Sequence, residues 1–192
     1  MLALDFPGSK NLIEKLDAAV AQGSVEEITA TLRRTLCELI QNRDVCLPDC
    51  VFSTLPDHYG RRELYRSEEF GYSVVAMTWA PGQGTPLHDH AGMWCVEGVW
   101  HGELEITQYE MSECKGERCR FVQGAAIEAG RGSAGSLIPP HEYHTIRNMS
   151  QDDVAVSLHI YRGAMNSCSV YEPVGDGWYR RGMKDLALDH AA

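Results

Sequence analysis

The sequence predicts a mainly β protein whose first part is helical. Residues 72–79 and 153–161 are rich in Val, Ser, Tyr and other residues that are typical of strands. Turns containing Gly and Pro precede both histidine-containing segments of the chain. Residues 9–42 differ from these segments because their apolar side chains recur at helical spacing. Together these observations predict a β-barrel covered on one side by helices.

Two helices account for residues 9–42. The first carries an apolar stripe formed by Leu12, Ile13, Leu16 and Val20. The second begins at Ser24, which we expect to be the N-cap, with Glu27 completing a capping box. Its stripe contains Ile28, Leu32, Leu36, Leu39 and Ile40.

The remaining elements are strands joined by short turns. We predict strands over 72–79 and 102–109, and a pair of strands over 121–129 that is broken at Gly124. Cys114 and Cys119 flank a predicted hairpin tip, and we expect both thiols to be reduced.

Chain length predicts one domain over residues 1–192, because this length is sufficient for one hydrophobic core. Within it we expect a helical cover over about 1–45 and a β-barrel with a metal site over about 50–175.

The formal net charge of −10 argues against a nucleic-acid partner, since such binding depends on neutralisation of phosphates by Lys and Arg. No apolar run is long enough to span a membrane, and no secretory signal begins the chain. Seven cysteines without such a signal indicate mostly reduced thiols and a cytoplasmic protein. We expect it to be a monomer.

The most informative stretch contains His88 and His90 after a turn of Gly and Pro. In an extended chain the two imidazoles point to the same side, where they can hold one metal ion, and Asp89 points to the other side. A third ligand can come from the later segment 135–148, which again places histidines after a turn of Gly and Pro. His144 and His141 are its two histidines.

Residues 153–161 predict a strand with one polar face and one apolar face. Ser157, His159 and Tyr161 share the first face, and the apolar residues Val154, Val156, Leu158 and Ile160 share the second. The polar face is suited to line a site.

The two histidine segments resemble the paired motifs of the cupin superfamily. Gly82, His88, His90 and Gly102 match the first motif, while His144 and Asn148 match the second. Two positions depart from the pattern: Cys95 replaces the usual Glu, and His141 replaces a Gly. The match with Asn148 favours His144 over His141 as the third ligand.

A cupin with three histidines and Cys95 resembles the cysteine dioxygenases among the thiol dioxygenases. The resemblance implies a double-stranded β-helix, which is a jelly-roll-like barrel, with N-terminal α-helices. It also implies Fe(2+) held by His88, His90 and His144, and the addition of both atoms of O2 to the sulfur of a small thiol. Tyr161, His159, Ser157 and Cys95 would then be catalytic, with His159 and Ser157 holding the Tyr161 hydroxyl and a thioether joining Cys95 to Tyr161.

The resemblance also implies that an Arg binds the substrate carboxylate, because its guanidinium matches a carboxylate bidentately. The family's Tyr-x-Arg pattern matches Tyr59 and Arg61, whereas a gap-free count back from His88 indicates Arg62. These neighbours point to opposite faces of a strand, and Arg66 is a further alternative.

L-cysteine, converted to 3-sulfinoalanine, is the substrate that the resemblance implies first. The alternatives are 3-mercaptopropionate and mercaptosuccinate, for which the additional arginines could bind a second carboxylate. A non-catalytic metal-binding cupin that acts as a sensor is a further alternative, although the sequence suggests no output segment such as a helix-turn-helix.

Overall fold

The structure, a computed structural model, describes residues 5–21 and 23–189. Two α-helices come first, α1 (Ser9–Val20) and α2 (Val25–Gln41), and a short 3-10 helix (Asp49–Phe52) follows. The strands are β1 (Gly60–Ser67), β2 (Tyr72–Trp79), β3 (Leu87–His88), β4 (Cys95–His101), β5 (Glu103–Lys115), β6 (Arg118–Gly130), β7 (Ala134–Leu137), β8 (His144–Arg147), β9 (Ala155–Tyr161), β10 (Ser167–Gly175) and β11 (Trp178–Asp185).

Two sheets form the barrel. One has the strand order β1-β2-β9-β4-β7, and the other closes on itself in the order β10-β11-β6-β5-β8-β3. This mainly β cupin architecture with two N-terminal helices confirms the predicted fold class. The strands extend beyond residue 175, because β11 pairs with both β10 and β6. Among the described residues no helix is long and apolar enough to cross a bilayer.

The helices form as their patterns predict. The Ser24 hydroxyl accepts a hydrogen bond from the Glu27 N–H, and the Glu27 carboxylate accepts one from the Ser24 N–H, so the capping box is present. Helix α2 buries Leu36 against β4, where a Cβ added to Gly98 would lie 2.7 Å from a Leu36 methyl group. The absence of a side chain at Gly98 therefore lets α2 approach the sheet closely.

Strand β9 lies at the centre of the first sheet, between β2 and β4. Its apolar side chains Val156, Leu158 and Ile160 join the core that includes both helices. The opposite face of β9 points into the barrel. The predicted division of this strand into two faces is therefore confirmed, and it separates the helical core from the site.

Strands β5 and β6, of 13 residues each, form a long hairpin within the closed sheet. Gly124 does not break β6, because the pairing passes from Thr107 opposite Ala126 to Tyr109 opposite Gln123 through a β-bulge. The predicted break was therefore wrong: the Gly accommodates an irregularity within one continuous strand.

Near the tip of this hairpin, Cys114 and Cys119 are joined in a disulfide. The prediction of two reduced thiols there was wrong. The hairpin register places these cysteines directly opposite each other, with 4.0 Å between their Cα atoms.

Residues 186–189, which we call the closing segment, follow β11 and pass alongside β1. The Leu186 N–H donates to the Asn166 carbonyl at 2.8 Å, and the Asp189 N–H donates to the Arg61 carbonyl at 2.7 Å. In return, the Arg61 backbone N–H donates to Asp189 Oδ2 at 2.7 Å. The closing segment is therefore fixed beside the strand that carries Arg61.

Candidate active site

Three histidines from neighbouring strands meet inside the barrel. His88 on β3 is directly paired with His144 on β8, and His90 follows two residues after His88. One ring nitrogen from each histidine lies within 4.8 Å of those of the other two. Antiparallel pairing of two short strands thus brings His144 next to two histidines that lie 54 or more residues earlier in the chain (144 minus 90).

The hydrogen bonds of the histidines assign their free nitrogens. His88 Nδ1 lies 3.1 Å from the Pro86 carbonyl, and His144 Nδ1 lies 3.0 Å from the Glu142 carbonyl. Since a carbonyl can only accept, both Nδ1 atoms carry hydrogen, and each Nε2 presents a lone pair. His144 Nε2 and both nitrogens of His90 are buried without a hydrogen-bond partner in the described chain.

Burial also keeps these rings neutral. It lowers the pKa of His88 to about 3 and that of His144 to about 4, and it lowers the pKa of His90 well below its ordinary value. Neutral imidazoles are the form that binds metals. The unpartnered nitrogens, their separation and their protonation therefore fit a metal ion.

The other residues of the histidine segments face elsewhere. His141 is exposed and does not belong to the group of converging histidines. Asp89 points away from the two histidines, as predicted, and its carboxylate accepts hydrogen bonds from the Ser169 N–H and the Tyr171 hydroxyl. The Asn148 side chain donates to the carbonyls of Trp79 and Asp153, and it therefore links the end of β2 to the turn that precedes β9.

Arg61 shares a small cavity with His88, His159 and Tyr161. Its guanidinium is buried and donates to the Met165 carbonyl at 3.1 Å and to the Ala187 carbonyl at 2.9 Å. Its Nε has no partner in the described residues. The cavity measures about 20 Å³, which is room for one water molecule.

The two alternative arginines lie outside this cavity. Arg62 points to the other face of β1 and donates to the Thr78 hydroxyl and the Ser53 carbonyl. Arg66 binds the carboxylate of Glu63. Tyr59 does line the cavity, where it stacks on Trp79 with 4.6 Å between ring centroids. Of the three candidate arginines, only Arg61 lines the cavity, and Tyr59 lines it as well.

Cys95 and Tyr161 are buried neighbours on two adjacent strands beside the site. They are paired residues of β4 and β9, and the Cys95 thiol lies within hydrogen-bonding range of the Tyr161 side chain. Burial raises the pKa of both side chains well above their ordinary values. Cys168 lines the cavity near them, as expected of a pocket wall.

Ser157 and His159 are hydrogen-bonded to each other, but they do not hold the Tyr161 hydroxyl as predicted. The Trp79 Nε1–H donates to Ser157 Oγ at 2.9 Å, and Ser157 Oγ lies 2.8 Å from His159 Nε2. The second ring nitrogen of His159 has no hydrogen-bond partner in the described part of the chain. The His159 and Tyr161 rings are stacked at 5.9 Å, so His159 does not hold the Tyr161 hydroxyl in this structure.

With this geometry established, comparison with known proteins identifies the family. The model of the family described as "Cysteine dioxygenase type I" matches residues 51–173, which is more than half of the chain. The chain belongs to the cysteine dioxygenase type I family. The matched residues include the three histidines, Arg61 and the strands that carry them.

Individual relatives are distant. Cysteine dioxygenase type 1 of Danio rerio is 23% identical over 121 residues, which cover 63% of this chain and 60% of that protein. Cysteine dioxygenase type 1 of Homo sapiens is 22% identical over 101 residues, which cover 53% of this chain and 50% of that protein. The alignments thus span about half to three fifths of these relatives.

Solved structures with partial similarity to the chain are also found. Oxalate oxidase in complex with the substrate analogue glycolate is 20% identical, with a TM-score of 0.43, over 62% of this chain and 66% of that chain. A protein with a double-stranded β-helix domain from Klebsiella pneumoniae is 15% identical, with a TM-score of 0.48, over 76% of this chain and 92% of that chain.

Two residues in the matched region were missed by sequence reasoning. Glu97 follows Cys95 by two positions on β4, so alternation could have placed its carboxylate on the inner face with Cys95. Trp79 ends β2, and it both stacks on Tyr59 and donates to Ser157. The family motif places its usual Glu at position 95, where this chain has Cys, and it gives no role to Glu97 two residues later.

Proposed function

We propose that this protein is a non-haem Fe(II) thiol dioxygenase that acts on a small thiol carrying a carboxylate. The observation that carries the proposal is the position of Arg61 on the same buried cavity as His88 and Tyr161, next to the cluster of three histidines. Family membership supports the reaction type. The sequence adds the expectation of a monomeric, cytoplasmic enzyme.

The metal would be held by His88, His90 and His144, whose ring nitrogens converge, and those of His90 and the Nε2 of His144 have no hydrogen-bond partner among the described residues. Three histidines bind zinc or copper as well, so iron follows from the need to activate dioxygen. When bound there, Fe(2+) would bring the substrate sulfur and dioxygen together on one centre.

Arg61 would recognise the substrate carboxylate. Its guanidinium is fixed by two main-chain carbonyls, and a buried, fixed cation binds a carboxylate strongly because its donors need no reorganisation. The cavity of about 20 Å³ is too small for cysteine. Substrate entry would therefore require that the closing segment, whose Leu186 lines the cavity, move, and the unpartnered Nε–H of Arg61 would then be available to the carboxylate.

Tyr161 would orient the reacting groups from the opposite side of the cavity. Its ring lies 5.8 Å from that of His90, and its side chain is held next to the Cys95 thiol. Burial raises the pKa of Tyr161, so the phenol keeps its hydrogen and can donate a hydrogen bond to an oxygen atom at the site.

The overall reaction combines one thiol, R–SH, with one O2 to give one sulfinic acid, R–SO2H. Sulfur is oxidised by four electrons and dioxygen is reduced by four, so no further reductant is needed. Of the possible substrates, L-cysteine, which gives 3-sulfinoalanine, is our first choice. The alternatives are 3-mercaptopropionate and mercaptosuccinate. Arg62 and Arg66, which could have bound a second carboxylate, lie outside the cavity, which favours a thiol with one carboxylate.

Oxygen uptake by the iron-loaded protein tests the proposal directly. Cysteine, 3-mercaptopropionate and mercaptosuccinate are compared in parallel, and the product is identified by mass spectrometry. We expect one sulfinate per O2 consumed, with cysteine preferred. If no thiol supports uptake although the protein is fully loaded with iron, the dioxygenase proposal fails and a binding role remains.

A further inference from the structure

A second cavity, with a volume of about 180 Å³, lies inside the barrel, and its described lining includes neither Arg61 nor the closing segment. Its walls are mainly apolar. Ile106 on β5 is the cross-strand partner of both Ile127 on β6 and Ile146 on β8. Ile127 is 56% exposed and Ile146 is 2% exposed, so this apolar wall runs from the surface to the interior. Further aliphatic side chains in the lining are Val99, Leu104, Ala129 and Leu137.

The cavity opens to the surface between two strand edges that are not paired with each other in the described chain. Strand β7 is the edge strand of the first sheet, and β6 pairs with β11 only through residues 118–120. Gly135 on β7 is exposed at this opening, and it shares the inner face of its strand with Leu137. A Cβ added to Gly135 would meet no atom within 4 Å. The glycine therefore leaves the opening unobstructed.

The inner end of the cavity adjoins the cluster of three histidines. The buried polar residues of its lining are Glu97, Ser157 and His159. Glu97 Oε2 lies 3.7 Å from His144 Nε2, so this end is one side chain away from the cluster. His159 and Ile146 line both this cavity and the small cavity described above, and these two side chains therefore separate the two spaces. A rotation of the Ile146 side chain would join them.

The proposed reaction requires the entry of two substrates that differ in polarity. Transfer of charged groups into an apolar cavity costs free energy because their hydration is lost, so cysteine and the other carboxylate thiols are disfavoured there. Dioxygen is uncharged and apolar, and apolar cavities in proteins take up small apolar molecules such as xenon. The bound thiol would also fill the cavity of about 20 Å³ beside Arg61. Dioxygen then needs a route of its own.

We propose that the apolar cavity behind Gly135 takes up dioxygen from the solvent and admits it to the histidine cluster past Ile146 and His159. The thiol enters separately, from the side of Arg61 and the closing segment. Passage to the cluster rests on the proposed function, whereas uptake of dioxygen by the cavity does not.

Uptake is measured on the metal-free protein, with dioxygen itself as the probe. Dioxygen is paramagnetic, so it speeds the NMR relaxation of nearby methyl protons under O2 pressure relative to the same pressure of argon. In the wild type, this effect should be larger for the methyl groups of Ile106 and Ile146 than for those of Leu16 and Leu32. The two leucines are buried in the helical core and do not line the cavity.

Gly135→Leu should close the opening, and the faster relaxation of the Ile146 methyl groups should then be lost. The substitution is tolerable, because the φ of Gly135 lies outside the left-handed region and its side chain has space. Gly182→Leu is the matched control and should relax as the wild type does. Gly182 on β11 also accepts a Cβ, with the nearest atom 3.9 Å away, and it lines neither cavity.

The wild type decides uptake whatever the variants do. If its Ile106 and Ile146 methyl groups respond to dioxygen no more than those of Leu16 and Leu32, the cavity does not take up dioxygen and the inference is overturned. If Gly135→Leu responds as the wild type does, dioxygen does not enter at Gly135, and the proposed route is wrong.

Kinetics of the iron-loaded protein test the passage to the histidine cluster. At saturating cysteine, Gly135→Leu should lower kcat/KM for O2 about 10-fold because entry is slowed, and it should leave kcat/KM for cysteine unchanged. An unchanged kcat/KM for O2, or an equal fall for both substrates, would overturn the route. If no thiol supports O2 uptake by the wild type, the proposed function fails, whereas relaxation in the metal-free protein still decides whether the cavity takes up dioxygen.

Discussion

Cys95 and Tyr161 lie directly opposite each other on the antiparallel strands β4 and β9, with their side chains in contact inside the barrel. The positions are 66 residues apart in the chain (161 minus 95), so the sheet register alone brings them together. Antiparallel partners have Cβ atoms about 4.5–5.5 Å apart, which is close enough for a thiol to reach the neighbouring phenol ring.

The first prediction is that this pair forms the thioether. After aerobic incubation of the iron-loaded protein with substrate, one C–S bond should form with the loss of two hydrogen atoms, with dioxygen as the oxidant. Mass spectrometry of the tryptic peptides should find Cys95 and Tyr161 in one cross-linked product. Cys95→Ser should abolish it, whereas Cys168→Ser, at the cavity wall, should not. Separate peptides from fully active protein would contradict the prediction.

The second prediction concerns the metal ligands. His88→Ala removes one of three converging nitrogens, and we expect the affinity for Fe²⁺ or Co²⁺ to fall by more than about 100-fold. Metal content after gel filtration measures the effect. His141→Ala is the matched control, because His141 belongs to the same sequence motif as His144 but is exposed. Stoichiometric metal in the His88→Ala variant would show that the ligand set is wrong.

The third prediction separates two neighbouring arginines. Arg61→Ala should raise the KM for the carboxylate thiol about 10- to 100-fold and leave the iron content intact, because it removes a charged partner of the substrate. Arg62→Ala should leave KM nearly unchanged but lower the thermal stability, since it leaves the Thr78 hydroxyl and the Ser53 carbonyl without their guanidinium partner. The reverse pattern would indicate that Arg62 binds the substrate.

The fourth prediction concerns the pH dependence of the metal-free protein. Burial raises the pKa of Glu97 from 4.5 to about 8. The folded state then holds a proton that the unfolded state has released, so stability falls as the pH rises through this interval. The histidines, whose pKa values are lowered, act in the opposite sense and below about pH 6.5.

Burial also raises the pKa of Glu142, to about 7. The interval between pH 7 and 8 is therefore where Glu97 acts most nearly alone. There the metal-free wild type should lose about 1 kcal/mol of unfolding free energy, measured by urea denaturation. Glu97→Gln should remove most of this loss, and Glu142→Gln should preserve most of it. A wild type with constant stability in this interval would contradict the prediction.

Local patterns predicted most of the elements because their causes are local. Ser24 and Glu27 cap a helix through contacts within one turn, and the alternation in β9 reports directly which side chains share a face. The spacing of His88 and His90 likewise indicates a common face whatever the rest of the chain does.

Features that depend on pairing between distant strands could not be predicted in the same way. Gly124 is equally compatible with a turn and with a bulge, and only its partner strand β5 decides between them. Glu97 is one of many carboxylates in an acidic chain, and its burial follows from the β4–β7 and β4–β9 pairings. The choice between Arg61 and Arg62 depended on which face of β1 each side chain occupies, and a shift of one residue in the strand pairing exchanges the two faces.

The closing segment holds Arg61 through a main-chain atom, since the Ala187 carbonyl accepts a hydrogen bond from its guanidinium. Every amino acid carries such a carbonyl, and the Ala187 side chain is exposed, so a mutational scan would score position 187 as tolerant even though its carbonyl contacts the guanidinium. Proline at position 186 is different, because it deletes the N–H that donates to Asn166. Backbone-directed changes, such as ester substitution or proline insertion, are therefore needed to reveal the contribution of this segment.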